Sequence, residues 1–263
     1  MNIREQLEIL YRLGVELVVV GGQAGVLRDA IEFSHDLDIL IRPTQDNAER
    51  VREAVRLVTG QETDVGTLCG RDFQQYIRPE DGTELDVHLK LVALPDFDAG
   101  VRNSSRVDFL GLSTDCLELP ALYASKRTDR PRDAIHRRAI EDRLRYLLLR
   151  GQIEPDEIVL AICLDEETAR LPEVAAQVPA LVQSTRQPLL QVRLLAQAFG
   201  EAEAALRGNA SLHPAVASLL SLGVETRKKV LAHPARLAAL LAKLPLELPP
   251  EGYHVRVRGT GKG

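Results

Sequence analysis

The sequence predicts a mixed α/β fold (α+β in layout) over residues 1–150 and an all-helical second domain over residues 151–263. Three observations carry this expectation. Segments of helical period alternate with β-branched runs through the first half of the chain. Asp81-Gly82, a hairpin turn signal, separates two strand-like runs. Beyond Gly151 the chain is rich in Leu and Ala and is punctuated by Pro155, Pro172, Pro179, Pro188, Pro214 and Pro234, which leaves helix-length apolar segments. The first part is expected to be a mixed β-sheet flanked by helices.

The elements follow in order. Ile3, Leu7, Leu10 and Tyr11 recur at helical spacing, and Gly14 is placed to end that helix. Residues 15–20 form a β-branched run, which predicts a buried strand. Gly21-Gly22 breaks it, and residues 23–30 predict a short helix. Leu37–Ile41 is a second strand. Thr44 can cap a helix whose face of Ala48, Val51, Val55 and Val58 closes at Gly60. Phe73–Ile77 predicts a strand. Over residues 84–91, Leu85, Val87 and Leu89 alternate with Asp86, His88 and Lys90, the period of another strand. Residues 106–112 predict one more. Asp115 with Glu118 is expected to form a capping box ahead of a helix carrying Leu119, Leu122 and Tyr123. Residues 134–150 read as an Arg- and Leu-rich helix. Leu212-His213-Pro214-Ala215 and Ala232-His233-Pro234-Ala235 each open an apolar helix, with both histidines in structural positions at the N-terminus. Residues 259–263 are expected to be a mobile tail.

Composition narrows the function classes. Of 263 residues, 45% are apolar and 27% charged, and no apolar run approaches the roughly 18 residues of a membrane span. The amphipathic, mixed-charge start MNIREQLEIL does not read as a secretory signal. Cys69, Cys116 and Cys163 are isolated, which speaks against a zinc or disulfide framework and for a reduced, cytoplasmic setting. With no Trp and 4% aromatics, the core is expected to be aliphatic, without an aromatic stacking platform. The net charge of −5 is unevenly spread. Residues 1–125 carry 12 basic and 22 acidic side chains, residues 126–150 carry 9 and 4, and the remainder is balanced. An acidic segment before a short basic one suits a cation site facing an anion-binding helix, although a basic helix face is also simply well solvated.

The informative stretch is residues 18–41. Alternation along a strand places Asp36 and Asp38 on one face, with Leu37 and Ile39 toward the core. Paired carboxylates repel unless a cation sits between them, and hard oxygen ligands at this spacing suit Mg²⁺. Asp86, on the strand face opposite Leu85 and Val87, supplies a third. Three carboxylates from two strands can hold two metal ions for in-line phosphoryl chemistry. Gly21-Gly22 lets the backbone approach a phosphate, and the following helix N-terminus favours anions. Gln23 could touch phosphate or cap that helix. His35 and His88, flanking the carboxylates, could orient a ligand but read more simply as hydrogen-bonded bystanders.

With thirteen residues between Gly22 and Asp36, followed by the Asp-Leu-Asp strand and the later acidic strand, the sequence resembles the nucleotidyltransferase superfamily of the polymerase-beta-like fold. The likeness covers about residues 15–145 and is nearest to abortive-infection toxin nucleotidyltransferases, on Gly-Gly-Gln-Ala and Ser34-His35-Asp36-Leu37-Asp38-Ile39. Relatives often carry Arg-x-Thr-x-Asp, where this chain has Glu32-Phe33-Ser34-His35-Asp36 and so keeps a hydroxyl at Ser34 but not the cation. They also carry a Lys followed by Arg-Pro-Lys-Asp. Here Lys126 precedes Arg130-Pro131-Arg132-Asp133.

The resemblance implies transfer of a nucleoside monophosphate from an NTP to an acceptor hydroxyl on RNA, a protein or a small molecule, releasing pyrophosphate. Two Mg²⁺ ions would be bridged by Asp36 and Asp38, with Asp86 completing the catalytic one. Gly21, Gly22, Gln23 and Ser34 would line the nucleotide site, with Lys126 and Arg130 or Arg132 at its phosphates. A plainer reading has those cations pairing with Asp129 and Asp133. Residues 127–150 could hold a tRNA end. The alternatives are a toxin restrained by an antitoxin protein and using the same chemistry, or a non-catalytic nucleotide-binding relative. No membrane partner is expected.

Overall fold

The computed structural model describes residues 1–197, 199–209 and 212–258, and the tail expected at residues 259–263 lies outside them. The protein is mixed α/β, with one six-stranded mixed sheet and a helical C-terminal region. The described residues form two compact units, one of residues 1–140 with 248–254 and one of residues 141–247 with 255–258.

In the first unit, helix α1 (Ile3–Arg12) opens on a capping box between Asn2 and Glu5. Strand β1 (Leu17–Val19) leads into α2 (Gly21–Leu27), then β2 (Leu37–Ile41) and α3 (Gln45–Thr59). The Thr44 hydroxyl caps α3, and Gly60 ends it at φ +74°. Helix α4 (Val65–Gly70), strands β3 (Phe73–Ile77) and β4 (Glu84–His88), helix α5 (Phe97–Arg102) and strands β5 (Ser104–Phe109) and β6 (Leu112–Leu117) follow. Helix α6 (Leu119–Ser125) precedes α7 (Pro131–Leu149), inside which the division between the units falls.

The sheet order is β3-β4-β2-β1-β6-β5. β2 is antiparallel to β1 but parallel to β4, and β1 is parallel to β6. Every residue of β1 and β2 is buried, so the centre of the sheet is covered on both faces. Helices α2 and α5 pack against β2, and α3 against β3 and β4. The core is aliphatic, as composition implied, with Leu37, Ile39, Leu40, Ile41, Leu85 and Val87 fully buried.

Several local expectations need correction. Gly21-Gly22 does not precede the helix but forms its first turn. The strand expected over 106–112 is a hairpin, β5 and β6, turning at Leu110-Gly111 where both residues have positive φ. The Asp115–Glu118 capping box does not form, because Asp115 pairs with Arg106 inside the β5–β6 ladder and no side chain caps α6. Ladder hydrogen bonds thus outcompete a single cap.

The second unit continues with α8 (Glu157–Cys163), α9 (Pro172–Ser184), α10 (Pro188–Gln197), α11 (Phe199–Arg207), α12 (Pro214–Ser221), α13 (Val224–Leu231) and α14 (Pro234–Ala242). His213 caps α12 by accepting from the Ala215 N–H, whereas His233 makes no such bond at α14. Two buried arginines organise the interior. Arg193 donates to the Ala161 and Leu164 carbonyls and pairs with Glu141 at 3.2 Å. Arg227 pairs with Glu203 at 2.7 Å. All three cysteines are free, and burial pushes the Cys116 and Cys163 thiols up to about 12, so neither is a nucleophile. No helix among the described residues is long and apolar enough to cross a membrane.

Candidate metal centre

The site is built on the parallel pair β2–β4. Register sets Asp38 directly beside Asp86, and Gln75 of β3 on the other side of Asp86. Period-two alternation then puts Glu84, Asp86 and His88 on one face of β4. Asp36 stands immediately before β2, two residues from Asp38.

A glycine at position 21 is required by the geometry. Its φ is +61°, and a Cβ there would lie 1.9 Å from Asp38 Oδ2. At Gly22 a Cβ would lie 2.3 Å from the Ser34 hydroxyl. The backbone therefore closes onto the carboxylates themselves, and the Gly22 N–H donates to Asp38 Oδ2 at 3.1 Å. Asp38 Oδ1 lies 3.1 Å from His88 Nε2, and Ser34 donates to Asp36 Oδ1 at 2.5 Å. A cation absent at Glu32 arrives from α7, with Arg132 Nη2 3.6 Å from Asp36 Oδ1.

The carboxylates border a cleft of about 490 Å³ that lies wholly within the first unit. Gly21, Gly22, Asp36, Asp38, Asp86, Lys126 and Arg130 all line it, whereas Gln23 and Ser34 do not. Gln23 is buried in the first turn of α2, and Ser34 acts through Asp36. Glu84, Gln75, His88, Arg132 and Phe73 also line the cleft. His88 is legible in the sequence as flanking the carboxylates, and Glu84 could have been found, because it shares the strand alternation of Asp86. Phe73, half-exposed and packed at 4.9 Å on the His88 ring, is an aromatic surface that the low aromatic content argued against.

Electrostatics divides the carboxylates. Burial pushes Asp86 up to about 7, reinforced by the charges of Asp38, Glu84 and Asp36. Asp86 is 6% exposed, and its Oδ1 has no hydrogen-bond donor. Asp38 is also raised by burial, but the His88 hydrogen bond and charge, Lys126 and the Gly22 N–H together outweigh that and hold it below the usual carboxylate range. Facing them, Lys126 and Arg130 lie 3.5 and 2.8 Å from Asp133, so the carboxylate partner foreseen in the plainer reading is Asp133. The basic helix is partly committed within the protein as well. Arg137 donates to the Lys126 and Thr128 carbonyls, and Arg145 pairs with Asp165 at 2.6 Å.

Among the described residues, two sets of side chains bring their ligand atoms within 4.8 Å of one another, namely Asp38–Asp86–His88 and Asp36–Glu84–Asp86. Asp86 belongs to both. A buried carboxylate oxygen lacking a donor, among three further carboxylates, fits divalent cations of the hard, oxygen-seeking kind. No protein-family model, curated protein or solved structure matches this chain significantly.

Proposed function

We propose that this cleft transfers a nucleoside monophosphate from a nucleoside triphosphate to an acceptor hydroxyl, with pyrophosphate as the leaving group. The observation that carries the reading is Asp86, a buried carboxylate whose Oδ1 has no donor, crowded by Asp36, Asp38 and Glu84 and facing a basic wall of Lys126, Arg130 and Arg132. An anionic floor opposite cationic side chains suits a triphosphate that arrives with its divalent counter-ions.

In this reading Asp36, Asp38 and Asp86 would hold two divalent ions, Mg²⁺ among them, which would supply neutralisation of phosphate charge and polarisation of the attacking oxygen. Lys126 and Arg130 turn from Asp133 toward the phosphate oxygens, and Arg132 bridges from Asp36 to the same group. The acceptor oxygen forms its bond to the α-phosphorus as the bond from that phosphorus to the α,β-bridging oxygen breaks. The electron pair leaves on pyrophosphate, and the hydroxyl proton passes to the Asp86 carboxylate. Ser34 positions Asp36, and Gly22 positions Asp38.

Calorimetric titration with each NTP in Mg²⁺ tests this reading directly. Wild type is expected to bind an NTP only when Mg²⁺ is present, and the Asp36→Ala/Asp38→Ala protein is expected to bind none. With the preferred NTP labelled at the α-phosphate, Asp36→Asn or Asp38→Asn should lower transfer by on the order of 10²-fold or more. Undiminished transfer in either variant would sink the mechanism.

A further inference from the structure

We propose that the two cation positions are chemically unequal, and that Asp38, Asp86 and His88 form a site for Mn²⁺ in preference to Mg²⁺. The inference rests on the nucleotidyl-transfer reading in that it names the cations of the same cleft. Its own support is the donor set. Asp36, Glu84 and Asp86 offer oxygen alone, whereas the other set contributes an imidazole nitrogen. Mg²⁺ holds its water tightly and favours an all-oxygen shell. Mn²⁺ shares the octahedral preference and tolerance for carboxylate but, as the first divalent ion of the transition-metal affinity series, accepts an imidazole nitrogen more readily than Mg²⁺ does.

Geometry agrees with shared ligation. Adjacent ligands around an octahedral ion with bonds of about 2.1–2.2 Å lie about 3.0–3.1 Å apart. The observed separation of His88 Nε2 from Asp38 Oδ1 is 3.1 Å. That spacing suits a hydrogen bond in the free protein and neighbouring ligands on one ion alike. The Gly22 N–H occupies the other oxygen of Asp38, so Oδ1 is the atom turned to His88. The His88 ring is held against Phe73 by the β3–β4 register. Asp86 completes the set, and its Oδ1, buried and without a donor, is the second observation pointing to an ion. A nitrogen ligand fixed in this way costs little reorganisation when the ion arrives.

The experiment is electron paramagnetic resonance of Mn²⁺ added to the full chain without nucleotide. Wild type should bind two Mn²⁺, and Mg²⁺ should displace one at a concentration at least about tenfold lower than it needs for the other. Pulsed spectra should show nitrogen hyperfine coupling from imidazole. His88→Gln, which retains a side chain able to bond Asp38, should still bind Mn²⁺ but lose the coupling and merge the two displacement steps. Absence of nitrogen coupling in wild type, or equal displacement of both ions by Mg²⁺, overturns the proposal alone. Wild-type Mn²⁺ binding no stronger than that of Asp86→Asn overturns it together with the cation-based reading of the cleft. Two unequal ions in a protein that transfers no nucleotide would uphold the inequality and reject only nucleotidyl transfer.

Discussion

Asp86 is held in a conflict between its position and its charge. Its folded-state pKa stands at about 7, above the ordinary carboxylate value, so between roughly pH 4 and 7 the native protein keeps a proton that the unfolded chain has released. Native stability from this group is therefore complete below pH 4 and is lost as pH rises toward 7. In EDTA, the melting temperature is expected to fall across that window by about 2–4 °C, the equivalent of on the order of 1 kcal/mol after allowance for solvent screening. Mg²⁺ should abolish the fall by giving the ionised carboxylate a partner. Asp86→Asn should abolish it as well, since the amide has no proton to lose in this range. Thermal melts from pH 4 to 8 check both, and a dependence that survives in Asp86→Asn would assign it to another group. Asp36 and Asp38 could be read from their spacing on one strand, and Asp86 from its alternation with Leu85 and Val87. That Asp86 is raised while Asp38 is lowered could not, because it depends on the β2–β4 register, on which side chains pair across it, and on the Gly22 N–H reaching back to Asp38.

Elements were legible where a period ran for several residues or a strong cap was present. β2 and β3 have the bounds that their β-branched and alternating residues imply, and α3 runs between its Thr44 cap and Gly60. Helices α4 and α5, six residues each, are too short for a hydrophobic period to develop. β6 was hidden because Thr114, Asp115 and Glu118 carry the signature of a helix start, while pairing with β5 depends on a hairpin partner. The two candidate capping boxes offer a direct comparison. Asn2 accepts from the Glu5 N–H at 2.9 Å and the Asn2 N–H donates to Glu5 at 3.0 Å, so Asn2→Ala should cost about 1 kcal/mol in urea unfolding. Asp115→Ala removes only an exposed ion pair to Arg106 at 3.5 Å and should change stability by less than about 0.5 kcal/mol. A larger loss at Asp115 than at Asn2 would mean that the cap outweighs the ladder.

Across the whole chain, the acidic excess of residues 1–125 and the basic excess of residues 126–150 meet around one cleft, lined by the first turn of α2, by β2, β3 and β4, and by residues 125–133. The charge distribution was compatible with that juxtaposition, but taken alone it favoured a solvated basic helix, and it did not show which arginines would be consumed in internal pairs. The parallel alignment of β2 with β4 also makes assembly of the sheet sensitive to cations. Parallel strands distant in sequence must first close a long loop, and here the register that joins them brings Asp38 against Asp86. The electrostatic repulsion must already be met at the moment the strands zip together. A divalent ion should therefore act as a folding nucleator, not only as an occupant of the finished protein. Stopped-flow refolding from urea should be on the order of fivefold faster in Mg²⁺ than in EDTA, the rate equivalent of about 1 kcal/mol in the transition state, and Asp86→Asn should refold at one speed in both. An ion that left the refolding rate untouched while slowing unfolding would instead be captured only after the strands have joined.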